Sequence, residues 1–81
     1  MTKEKIYVSL NEIFCDVFDD NSIVITDDTS AEDVEGWDSL EHVNLIVAIE
    51  QFYKIKMTVE EITGIRNVGE MVNIILEKVD K

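Results

Sequence analysis

Apolar residues return along this chain at the three- and four-residue steps of an amphipathic helix. In residues 3–18, Ile6, Leu10, Ile13 and Val17 are spaced four, three and four apart, and Tyr7, Phe14 and Phe18 widen the stripe. Thr2 suits the N-cap, and Asp19, Asp20 and Asn21 mark the end. A second helix is predicted over 38–53, with Asp38 as cap and Glu41 three residues on, as in a capping box. On its wheel Leu45, Ile46, Ile49, Phe52 and Tyr53 share the side that must face a core. Leu40, Val43 and Val47 fall on the opposite side with Asn44, Glu50 and Gln51, an apolar strip on a polar face. Residues 58–63 predict a short helix, with Thr58 and Glu61 as a capping pair and Gly64 as a stop. Residues 68–79 predict a last one, capped by Asn67 with Glu70 three residues on. Val68, Met71, Val72, Ile75, Leu76 and Val79 form its inward face.

No strand pattern competes, since the alternation at Ile55–Lys56–Met57 is too short. The expected fold is therefore all-α: a small four-helix bundle of three main helices and one short one, in a single domain spanning 1–81. Between the first two helices runs a long connection, 19–37, rich in Asp, Ser and Thr. A loop of that length in so small a domain is disordered or functional. Its one apolar clip, Ile23–Val24–Ile25, suggests that it is pinned to the core.

Eighty-one residues allow one core and no more, and the burial available to so short a chain, roughly 60–65% of its unfolded surface, implies modest stability. Charge narrows the field of partners. The formal net charge is −11. The seven basic residues are Lys3, Lys5, Lys54, Lys56, Arg66, Lys78 and Lys81, so none falls between Ile6 and Tyr53, a stretch holding twelve acidic residues. Phosphate backbones and anionic membrane surfaces would be repelled. Basic protein partners would be attracted, although a plainly solvated acidic surface gives the same composition. No apolar run approaches the ~18 residues of a spanning helix, and the amphipathic N-terminus has no signal-peptide core. The expected setting is the cytoplasm and the expected state a monomer. A lone cysteine, Cys15, cannot form an internal disulfide and reads as a structural thiol. No residue cluster suggests structural zinc, and the acid-rich loop leaves room only for loose divalent-ion binding that relieves charge repulsion. The loop acids fail the EF-hand pattern, because Ile23 and Val24 stand at the fifth and sixth positions counted from Asp19.

The residues with chemical potential lie at Gly36–Trp37–Asp38–Ser39–Leu40, where the loop meets the second helix. Ser39 takes the first helical position, exposed among unpaired backbone N–H groups, where a phosphate would be favoured. The same residues also read as an ordinary helix cap. His42 invites comparison with a catalytic base, but the wheel turns it toward the core side and away from Ser39, and it reads as a half-buried histidine near the helix start.

Asp38–Ser39–Leu40 at a helix head, after a long loop and a glycine, resembles the attachment site of acyl and peptidyl carrier proteins. EHVNLIVAIEQFYKIKM resembles that family's second helix and the segment after it, and TVEEITGIRNVGEMVNIILEKV its third and fourth, so the resemblance spans essentially the whole chain. It implies that Ser39 accepts 4′-phosphopantetheine from coenzyme A through a phosphopantetheinyl transferase, with Asp38 and Leu40 flanking the attachment. The chain would then be a non-catalytic carrier. It would hold an acyl or aminoacyl thioester and present it to loading and processing enzymes with basic docking surfaces. Leu40, Glu41, Val43, Asn44, Val47 and Glu50 would be the partner surface, although the strip could instead pack against the long loop. Trp37 replaces the small residue common at that place in fatty-acid-synthesis carriers. The proline frequent before the third helix is absent, with Thr58–Val59 there instead, and Asn44 and Gln51 dilute the acids of the second helix. These departures favour a specialised pathway, polyketide or peptide synthesis or cell-surface modification, over housekeeping fatty-acid synthesis. Two other readings remain in competition. Asp-Ser-Leu is similar to the Gly-Asp-Ser-Leu block of a hydrolase family, but here tryptophan replaces the glycine and the chain is too short for that α/β fold. A small acidic helical adaptor without cofactor would share every feature except modification of Ser39.

Overall fold

A computed structural model describes residues 2–79. It contains α1 (Lys3–Phe18), α2 (Ser39–Tyr53), α3 (Val59–Gly64) and α4 (Val68–Val79), with no strand among the described residues. The predicted bundle is the observed one. Thr2 Oγ1 accepts from Lys5 N–H, 3.2 Å away, and opens α1. Asp38 Oδ1 accepts from Glu41 N–H at 2.9 Å and opens α2. α1 and α2 both end on a non-glycine residue in the left-handed region, Asp19 (φ 51°) and Lys54 (φ 57°). Gly64 does not stop α3. It is the last helical residue, and the chain leaves through extended backbone at Ile65.

The core is built by α1, α2 and α4. Ile6, Leu10 and Phe14 meet Leu45, Ile46 and Ile49, and Val68, Met71, Val72 and Ile75 close the third side. Leu76 and Val79, expected on the buried face of α4, are only half-buried at its margin. Phe52 departs further from expectation. It sits at the edge of the inward arc of α2, packs edge-on against Tyr53 at 4.9 Å, and is 54% exposed. α3 contributes no buried residue at all.

The long connection between α1 and α2 is tied down at both ends. Asn11 on α1 holds the apolar clip as a neighbouring strand would: its Nδ2 donates to the Ile23 carbonyl (3.0 Å) and its Oδ1 accepts from Ile25 N–H (2.8 Å). Ile25 is buried and Val24 points to solvent. Thr29, the single buried polar residue among the described residues, accepts from Thr26 N–H through Oγ1, and its carbonyl accepts from Val68 N–H at 2.8 Å. Asp27 carbonyl accepts from Gly69 N–H at 3.0 Å. That approach is why glycine stands at 69, since a Cβ there would lie 3.0 Å from the Asp27 oxygen. Val34 and Trp37 then sink into the core, and Gly36 turns between them at φ +91°, a conformation open to glycine.

Candidate functional site

Trp37 sets the geometry around the head of α2. Its ring is buried, edge-on to Phe14 (5.3 Å between centroids) and stacked on His42 (5.9 Å). Indole N–H can only donate, so the 3.0 Å bond from Trp37 Nε1 makes His42 Nδ1 an acceptor. The proton of neutral His42 then lies on Nε2, which donates to the Ile62 carbonyl at 3.0 Å. One imidazole thus links the loop, α2 and α3.

His42 is half-buried, as expected of a histidine near the helix start, but it is not set apart from Ser39: both line the same groove. With both ring nitrogens engaged in structural bonds, it has none left to take a proton from the serine hydroxyl. Cys15 is a half-buried thiol directed at the Ile23 carbonyl, 3.8 Å away. No group of three potential metal-binding side chains occurs among the described residues.

Ser39 is exposed at the first position of α2, and no protein group among the described residues hydrogen-bonds its hydroxyl. Asp38 organises the backbone around it. Its side chain takes Glu41 N–H and its carbonyl takes His42 N–H (2.8 Å), while its own N–H turns back to the Gly36 carbonyl (3.0 Å). Glu41 therefore cannot complete a capping box, and its carboxylate accepts from Asn44 Nδ2 instead (3.2 Å). The N–H groups of Ser39 and Leu40 find no protein acceptor among the described residues and remain for an anion. An alcohol free of internal partners beside unpaired N–H donors fits a phosphate ester. From Ser39 an open groove of about 550 Å³ runs between α2 and α3, with Ala31, Val43, Ile62 and Ile65 as apolar walls and Thr63 and Arg66 as polar ones.

On the outer face of α2, Leu40 is 70%, Val43 54% and Val47 45% exposed, and none is covered by the long loop. Asn44 is exposed and Glu41 half-buried among them. Glu50 differs from expectation. It is half-buried, and its Oε2 accepts from Met57 N–H at 2.9 Å, so it fastens the segment after α2. Sequence reasoning missed the α3 wall of the groove. Arg66 was visible as a cation, and Trp37 only as an unusual neighbour of the serine.

Comparison with known proteins agrees with this arrangement. The family described as "phosphopantetheine attachment site" matches residues 9–75. An acyl carrier protein of Petrotoga mobilis is 32% identical over 80 residues, covering 99% of this chain and 94% of its own. One from Clostridium perfringens is 35% identical over 72 residues, covering 89% and 95%. The solution NMR structure of a holo acyl carrier protein from Geobacter metallireducens superposes with a TM-score of 0.87 at 46% identity, covering 91% of this chain and 85% of that one. The chain belongs to the acyl carrier protein family, non-catalytic carriers whose prosthetic group is 4′-phosphopantetheine.

Proposed function

We propose that Ser39 is the attachment point of the arm and that the chain carries acyl or aminoacyl thioesters on it. The observation behind this is the exposed, internally unbonded hydroxyl at the head of α2. Ser39 Oγ forms one P–O bond as the pyrophosphate of coenzyme A loses its nucleotide half, and the serine proton passes to a base on the transferase. No base within this chain is required. Asp38 contributes by capping, which holds Ser39 at the helix start. Leu40, Val43 and Val47, with Glu41 and Asn44, form the docking face. Glu50 lies at its edge and is committed in part to Met57. The partners are the transferase and loading or processing enzymes with basic surfaces, drawn by the acid-rich stretch that ends at Glu50. A specialised pathway is supported by Trp37, Thr58–Val59, Asn44 and Gln51. A monomer in a reducing cytoplasm suits the single free thiol.

Incubation with coenzyme A and a broad-specificity transferase should raise the intact mass by one phosphopantetheine, and Ser39→Ala should abolish the gain. An unmodified wild type would leave the cofactor-free adaptor. Val43→Asp or Val47→Asp should weaken processing by partner enzymes with helicity intact, and unfolding would return those residues to the core. Efficient elongation by a housekeeping fatty-acid system would overturn the specialised assignment.

A further inference from the structure

We infer that Arg66 is a positioning residue for the arm: its guanidinium pairs with the phosphodiester on Ser39 and directs the arm along the α2–α3 groove. The inference rests on Ser39 being the attachment point. Arg66 is the only arginine of the chain, and the whole stretch from Ile6 to Tyr53, α2 included, contributes no cation. The fold nevertheless brings Arg66 to the groove that Ser39 opens. Its backbone is fixed there. Arg66 N–H donates to Glu70 Oε1 (2.7 Å), and Asn67 Oδ1 accepts from Glu70 N–H (2.9 Å), so the turn into α4 is closed on itself. Glu70 thereby spends one carboxylate oxygen on backbone. The Arg66 side chain is exposed, and no carboxylate among the described residues forms an ion pair with it.

The electrostatic need is local. A phosphodiester on Ser39 adds a negative charge beside Asp38 and Glu41, in a chain already at −11. The N–H groups of Ser39 and Leu40 offer partial charges only. Arg66 supplies the full opposite charge that lines the groove, and a planar guanidinium matches two phosphate oxygens at once. Ile62, Thr63 and Ile65 line the same groove, so an arm held at its phosphate by Arg66 lies toward α3 instead of swinging freely in solvent. An exposed pair of this kind is weak and sensitive to salt.

A sole arginine gives a sole guanidinium Nε–Hε signal, which makes the test direct. The protein is converted to the holo form with a free thiol, confirmed by intact mass, and compared with the apo form by NMR. The Arg66 signal should shift on conversion and return toward its apo position in about 1 M salt, where the screening length falls to about 3 Å. In holo Arg66→Gln the two pantetheine methyls should regain the mobility of free pantetheine, with Arg66→Lys between that and wild type. Absence of a mass gain would sink the Ser39 assignment and this inference together. A confirmed mass gain with a stationary guanidinium signal would overturn this inference alone. So would a shift that appears only after a carboxylate-bearing acyl group is loaded, since that would assign Arg66 to the cargo.

Discussion

α3 and α4 follow one another with only three residues between them, yet they are held by different forces. α4 buries Val68, Met71, Val72 and Ile75 completely, so its place is fixed by apolar area removed from water. α3 buries nothing completely. It rests on half-buried Ile62, on the bond from His42 Nε2 to the Ile62 carbonyl, and on Lys78 reaching Glu61 at 3.0 Å. Its internal capping box, Thr58 with Glu61, makes it a helix but does not attach it to anything. A bundle can thus combine a well-packed three-helix platform with a fourth element retained by a few polar ties. Local opening follows the number of buried apolar contacts. Of the four helices, α3, which walls the groove beside Ser39, should therefore open at the least cost.

The platform should fail as a whole. Leu45→Ala removes a fully buried side chain between α1 and α2 and should lose about 2–5 kcal/mol in urea unfolding, a large share of the stability of so small a domain. A loss under about 1 kcal/mol would show that the platform is loosely packed and would erase the contrast. The tie on α3 should fail locally. His42→Ala leaves Trp37 Nε1 and the Ile62 carbonyl without partners, at about 1–3 kcal/mol. Hydrogen exchange should quicken in α3 well before α1 or α4, and uniform quickening would make α3 part of one cooperative unit. A smaller change of opposite sign is expected at the end of α2. Lys54 occupies a left-handed conformation without being glycine, so Lys54→Gly should add about 0.5–1 kcal/mol.

The smallest effect is a pH dependence. Thr58 N–H, and after it the Lys78 ammonium, lower the Glu61 carboxyl below its ordinary 4.5. A carboxyl lowered by folding stabilises the native state fully above its unfolded value, and that contribution is lost as pH falls from about 4.5 through the lowered pKa. Wild type should lose α3 protection across that window more steeply than Glu61→Gln. Equal slopes would mean that this carboxylate does not stabilise α3.

The helices themselves were legible in the sequence because burial in a bundle repeats at helical spacing, and each predicted start has its cap: Thr2, Asp38, Thr58 and Asn67. Ser39 and the strip of Leu40, Val43 and Val47 were legible for the same reason, since a helix start and a helix face are both local facts. Features that depend on the later path of the chain were not. Glu50 reads as a surface acid until the reversal at Lys54 brings Met57 N–H to it. Trp37 lies in a loop with no periodicity to reveal its burial, and the partner of its indole, five residues on, is fixed only when α3 supplies the second bond to that imidazole. Phe52 lies at the margin of its helical arc, where a wheel cannot decide between core and solvent.

The burial of Trp37 has a practical result. The chain contains one tryptophan, and the fold wedges it between a phenylalanine and an imidazole at the junction that holds α3. The protein is consequently supplied with its own fluorophore, a few residues from the serine. Emission colour and lifetime should follow loading of cargo, docking of a partner or loosening of the short helix with no dye attached.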